Sequence, residues 1–148
     1  MSVPEPERHK GRLEVHVKAQ YLASYTVKIL KNPKVFDPEV DEELIKRIKG
    51  CALDIYAKSW AANKINAEAN RKNREMRYEA QERAITLCDE MHAYIGVAKQ
   101  VFHLRKRRMK YWSGLITEVR ALLQGWKESD VKRYQGAAES QALYALYG

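Results

Sequence analysis

Apolar residues recur three and four positions apart in four separate stretches of the chain, the spacing of one buried helix face. In the first stretch Leu13, Val17, Tyr21, Tyr25 and Ile29 repeat every four, with Leu22 and Leu30 widening the stripe, which predicts a helix over residues 12–31. Asn32-Pro33 ends it, because the residue before a proline is pushed out of the helical region. A second helix starts at Pro38 or Asp41 and runs to Asn63, with Leu44, Ile45, Ile48, Cys51, Ala52, Ile55, Tyr56 and Trp60 inward. Asp37, Glu39, Asp41, Glu42 and Glu43 complement the positive end of its dipole. Residues 64–72 are small and polar and read as a turn. A third helix over 73–104 buries Ala80, Ala84, Leu87, Cys88, Met91, Tyr94, Ile95, Ala98, Val101 and Phe102. A fourth over 113–134 turns Leu115, Ile116, Val119, Leu122, Leu123 and Trp126 inward.

Four such helices with short connections predict an all-α fold, an antiparallel up-down-up-down four-helix bundle over residues 11–134. Residues 1–10, with Pro4 and Pro6, are expected to form a flexible arm. The nearly uncharged stretch 135–148 is open between a helical extension, a disordered tail and a docking peptide.

Composition agrees with one domain. All four prolines precede residue 40, so nothing interrupts helices beyond it. A chain of 148 residues, 45% apolar, buries a core without disulfides or metal. Cys51 and Cys88 lie far apart on apolar faces and are expected as buried free thiols of a reducing compartment. No run approaches a membrane span and residues 1–10 are no signal peptide, so the expected location is cytoplasmic, with no membrane partner.

Charge changes the picture. Between residues 91 and 117 there is no Asp or Glu, while Lys99, Arg105, Lys106, Arg107, Arg108 and Lys110 give +6 of a formal net charge of +8. Arg105 and Lys106 suit the C-terminal end of helix three, but five cations exceed what capping needs, and they oppose the positive start of helix four. An anionic partner resolves that repulsion, and nucleic acid fits ahead of an acidic protein. Bundle topology places Lys28, Lys31 and Lys34 at the same end, partly offset by the acids at 37–43. Arg71, Lys72, Arg74 and Arg77 sit ~40 Å away and are interleaved with acids, so their net field is weak. The candidate nucleic-acid contacts are therefore Arg105, Lys106, Arg107, Arg108, Lys110, Lys99, Lys31 and Lys34. His103, Tyr111 and Trp112 are placed to stack on bases, although Tyr111 and Trp112 fit equally well as core.

Other chemistry finds little support. Asp89-Glu90-Met91-His92 has the acidic-x-x-His spacing of di-iron bundles, but no second such motif accompanies it. The histidines and cysteines show no zinc pattern, and there is neither a phosphate loop nor a nucleophile elbow. No catalytic, cofactor or metal residues are expected. Trp60, Trp112 and Trp126 read as anchors of the core or of a subunit interface, and the surplus of tyrosines favours self-association.

Specific words in the chain carry a family resemblance. They are His9-Lys10-Gly11-Arg12-Leu13-Glu14-Val15-His16-Val17-Lys18-Ala19, Lys31-Asn32-Pro33-Lys34-Val35-Phe36, Trp60-Ala61-Ala62-Asn63, Ala98-Lys99-Gln100-Val101-Phe102-His103-Leu104 and Lys110-Tyr111-Trp112-Ser113-Gly114-Leu115-Ile116-Thr117-Glu118-Val119-Arg120. Together, across about residues 9–134, they resemble the accessory variability determinant of diversity-generating retroelements, a relative of the bundles encoded in ribosomal RNA intervening sequences. The resemblance implies a non-catalytic partner of the retroelement's reverse transcriptase. It also implies a homopentamer with a basic surface, which binds template RNA or cDNA during mutagenic cDNA synthesis. Lys99, Lys110 and Arg120 fall within matching words, and residues 105–108 lie between two of them. The tail 135–148 departs from the family pattern. The alternative is a structural bundle of the intervening-sequence type, with no polymerase partner.

Overall fold

The computed structural model describes the backbone of residues 5–147 and the side chains of residues 11–136 and 143–147. Its four long helices are α1 (Glu5–Leu30), α2 (Pro38–Lys64), α3 (Arg71–Val101) and α4 (Lys106–Tyr147). Among the described residues there is no strand. Each of α1 and α3 packs against both α2 and α4, so a single core lies between the four.

Local chemistry sets the helix ends. Asp37 caps α2 by accepting from the Glu39 amide, with Pro38 in the first turn, where its missing N–H costs nothing. Asp41 then breaks the helical geometry (φ −163°, ψ 92°) and accepts from the Leu44 amide at 3.0 Å. The main run of α2 therefore has its own cap, and both starting points read from the sequence are used. Asn70 caps α3 by accepting from the Asn73 amide at 2.8 Å. At its other end, the Phe102 amide donates to Ala98 and the Leu104 amide reaches back to Lys99 at 3.1 Å. His103 between them takes φ 53°, the left-handed position that usually belongs to glycine in such a cap.

The deepest side chains come from all four helices: Leu22, Ile48, Ile55, Met91, Ile95, Trp112, Ile116 and Leu123 are all less than 2% exposed. Phe36, in the connection after α1, closes one end of this core. Its ring meets Phe102 edge-on at 5.3 Å and Trp112 at 5.9 Å. That contact joins the α1–α2 and α3–α4 connections.

Several sequence expectations need correction. The buried row of α1 is Val15, Ala19, Leu22, Thr26 and Leu30, while Leu13, Val17 and Tyr21 are exposed. Residues two apart point ~200° apart on a helix, so the two rows occupy opposite faces, and the row with small Ala19 and Thr26 permits the closer approach. Trp60 stays 47% exposed at the edge of α2. Helix α4 begins at Lys106 rather than Ser113, because Lys, Arg and Met are good helix formers and the four residues 102–105 suffice for the turn. It continues through the tail, where Ala, Gln and Leu carry it to Tyr147. Of the expected arm, residues 1–4 lie outside the described residues, and α1 already begins at Glu5. Arg74 and Arg77, read from the sequence only as part of a cluster of weak net field, are buried, at 4% and 3% exposure. Cys51 and Cys88 are buried free thiols, as their apolar faces required.

Candidate nucleic-acid interface

The short turn after α3 puts Arg105 at the mouth of α4 and Lys106, Arg107, Arg108 and Lys110 on its first turns. The Met109 amide donates to the Arg105 carbonyl at 3.1 Å, so the helix is hydrogen-bonded from that residue onward. No acidic residue stands in this first turn to balance the helix dipole. The cations therefore face both one another and the positive helix end.

Trp112 and Tyr111 divide the helix surface. Trp112 is fully buried, and its indole N–H donates to Oγ1 of Thr26 at 3.0 Å. Tyr111, one residue earlier, points outward at 47% exposure. Its hydroxyl shares a 2.6 Å hydrogen bond with that of Tyr21, and its ring meets Tyr25 edge-on at 5.1 Å. The bond to Tyr21 pushes the Tyr111 hydroxyl above the ordinary phenol range, with burial adding to it. The question left open by the sequence resolves into one core residue and one surface residue. Trp112 is thus unavailable for stacking. His103 is exposed but committed to the left-handed turn.

Tyr25, Arg105, Arg107, Arg108 and Tyr111 line an open pocket of about 560 Å³. None of the five is acidic. Three guanidinium forks beside two phenol rings suit a phosphate together with a flat base. The ion pairs of the molecule reinforce this. Lys18, Lys46, Arg47, Arg71, Arg77, Arg83, Arg120, Lys127 and Arg133 each bridge to a carboxylate. Among the described residues, Arg105, Lys106, Arg107, Arg108, Lys110, Lys99, Lys31 and Lys34 do not.

The remaining sequence candidates are distributed around the pocket rather than in it. Lys106 and Lys110 are exposed on the same turns, and Lys99 is exposed in the last turn of α3. Lys34 is exposed in the connection carrying Phe36, which packs on Phe102 and Trp112. Lys31 instead lines a separate groove of about 420 Å³ between α1 and α2, with Gln20, Val27, Leu53 and Tyr56 among its walls. Tyr25 is the residue that sequence reasoning assigned to the core and the structure brings to the arginines. Its only sequence signal is the i+4 tyrosine pair with Tyr21.

Asp89 and His92, the acidic-x-x-His pair, are otherwise engaged. Asp89 accepts from Arg120 at 2.8 Å, and His92 Nε2 lies 3.4 Å from Oγ1 of Thr117. Burial holds the His92 imidazole below its usual pKa, with the Asp89 charge opposing that shift. Among the described residues no cluster of three or more metal-ligating side chains occurs, and no helix is long and apolar enough to cross a membrane. No family model, no curated protein and no solved structure matches this chain.

Proposed function

We propose that this protein is a non-catalytic nucleic-acid-binding bundle that grips a phosphate backbone at Arg105, Lys106, Arg107, Arg108 and Lys110. The observation that carries this reading is a cluster of cations on the first turns of α4 that has no carboxylate partner among the described residues, beside the exposed ring of Tyr111 and the half-buried ring of Tyr25. A polyanion relieves both the mutual repulsion and the opposition to the helix dipole. Lys99 and Lys34 extend the same basic end, and Lys31 borders it.

The bundle topology is antiparallel up-down-up-down. Its support is the order of the pairings: Lys18 meets Glu118 and Tyr21 meets Tyr111, while Arg77 meets Asp130 and Asp89 meets Arg120. In each pair of helices, partner numbers fall on one as they rise on the other.

On its resemblance to the accessory variability determinants, the chain serves a diversity-generating retroelement. Its partners are then the reverse transcriptase and the template RNA or cDNA, in the cytoplasm, and it assembles as a homopentamer. The exposed Leu13, Val17, Leu53 and Trp60 are apolar surface available to such self-association. Fluorescence anisotropy with a labelled RNA tests the nucleic-acid reading. Wild type binds, and Arg105→Ala/Arg107→Ala/Arg108→Ala with unchanged helicity binds at least about tenfold more weakly. Equal binding by the two removes the site. Co-purification with a neighbouring reverse transcriptase, followed by native mass measurement, tests the retroelement reading. A structural bundle of the intervening-sequence type would show no such partner.

A further inference from the structure

Tyr111 stands on the same face of α4 as two of the arginines. Arg107 and Arg108 precede it at the i+4 and i+3 spacings, so one helical turn, about 5.4 Å, separates their attachment points from that of the ring. Arg105 lies at the mouth of the helix, and all three arginines line the open pocket with Tyr25 and Tyr111.

The Tyr111 ring is held from three sides. Its hydroxyl is tied to that of Tyr21, Tyr25 braces it edge-on, and the neighbouring Trp112 is anchored in the core on Thr26. An edge-on neighbour covers at most one face of a ring, and Tyr111 keeps 47% of its surface exposed. The arginines do not cover the open face. Cations lie over Trp60, Trp126 and Tyr134 elsewhere in the molecule, but among the described residues none lies over Tyr111 or Tyr25. The pocket thus holds a fixed, uncovered ring beside three guanidinium groups that bridge to no carboxylate among the described residues.

A ring fixed before binding loses little freedom when a second flat ring lies on it. A nucleobase is such a ring, but in a duplex both faces of an internal base are covered by its neighbours. Only a single strand turns a base face outward. We propose that this end of the bundle binds single-stranded nucleic acid in preference to duplex, with one unstacked base on Tyr111 and the adjoining phosphates on Arg105, Arg107 and Arg108. This selectivity rests on the phosphate-binding reading above. Phosphate contacts alone favour the duplex, which carries its charge more densely, and stacking reverses that order. The platform meets a base by its face, because its hydroxyl is bonded to Tyr21, so the contact tolerates any base.

Fluorescence anisotropy on the full chain at one salt concentration tests this with three labelled probes. They are an unstructured RNA strand, the same strand annealed to its complement with blunt ends, and an abasic strand of equal length. Wild type is expected to bind the base-bearing single strand at least about fivefold more tightly than either of the others. Tyr111→Ala, checked for unchanged helicity, is expected to abolish the preference over the abasic strand while leaving abasic binding intact. Tyr111→Phe, which keeps the ring, retains most of the preference. The wild-type comparison needs no variant, so it still decides the matter if Tyr111→Ala does not fold. Equal binding of the three probes by wild type overturns the proposal, as does a loss in Tyr111→Ala spread evenly over them. Arg105→Ala/Arg107→Ala/Arg108→Ala reads the phosphate contacts separately. Weaker binding of all three probes upholds those contacts even where the strand preference fails, and unchanged binding of all three removes the site itself.

Discussion

The indole N–H of Trp112 donates to Oγ1 of Thr26 at 3.0 Å, with both side chains fully buried. This bond pins the start of α4 to the end of α1. It thereby fixes which way the basic turns face. With Trp112 inward, Tyr111 emerges beside Tyr21 and Tyr25, and the arginines emerge around it.

Thr26→Val keeps the shape but leaves the buried indole N–H without an acceptor. The expected cost is about 1–3 kcal/mol in a urea unfolding curve, whereas Thr26→Ser, which retains the hydroxyl, loses less. Equal stability of the valine and serine variants would show that the bond contributes nothing.

Arg77 and Asp130 form a buried ion pair, each side chain under 5% exposed. Removing the carboxylate in Asp130→Ala strands the Arg77 charge and should destabilise the fold by about 3–5 kcal/mol. Adding Arg77→Met to that variant should recover part of the loss, because the stranded charge is gone. A double variant less stable than Asp130→Ala, measured by the same unfolding curves, would contradict this account of the pair.

Burial raises the Cys51 thiol to about 11 and the Cys88 thiol to about 12, from an ordinary value of 9.0. Both thiols should therefore resist a disulfide reagent in the native protein and react quickly in denaturant. A raised folded pKa makes its contribution intact below the unfolded value and lost as pH rises through the folded one. Stability should accordingly fall between about pH 9 and 12, and Cys51→Ala/Cys88→Ala should flatten that limb. Native thiols that label as fast as unfolded ones would show that the cysteines are not enclosed.

His16 behaves in the opposite sense. Burial lowers its pKa from 6.5, Asn63 partly offsets this, and the charges of Arg12, Arg77 and Lys64 lower it further. Its ring stands edge-on to Trp60 at 5.9 Å and Trp126 at 5.7 Å. Below pH 6.5 the unfolded chain takes up the proton more readily than the folded one, so stability is lost as pH falls from there. His16→Gln should shallow the loss seen in melts as pH falls below 6.5, and an identical pH profile would remove His16 as its source.

Much of this fold was legible because long three-four patterns ran without proline from residue 39 onward. The face of α1 was not. Its rows 13-17-21-25-29 and 15-19-22-26-30 both fit a helix, and only the approach of α2 and α4 selects the one with Ala19 and Thr26. The burial of Arg77 was not legible, because its carboxylate partner lies 53 residues away on α4. At the basic end, the charge excess at residues 105–110 was plain, since it needs no tertiary information. The pairing of that run with Tyr25 was hidden, because the tyrosine arrives from another helix. Tyr111 and Trp112 stayed ambiguous for a related reason. Adjacent helical residues point ~100° apart, and the sequence alone does not say which faces inward.

The central claim is that residues 105–108 hold a nucleic-acid backbone through phosphate contacts. The direct measurement is the salt dependence of single-stranded RNA affinity for wild type and for Arg105→Ala/Lys106→Ala/Arg107→Ala/Arg108→Ala. If all four cations meet phosphates, the slope of log affinity against log salt should shrink by about 3, with weaker binding at low salt and unchanged helicity. An unchanged slope and affinity in the variant would place any RNA contact elsewhere on the molecule.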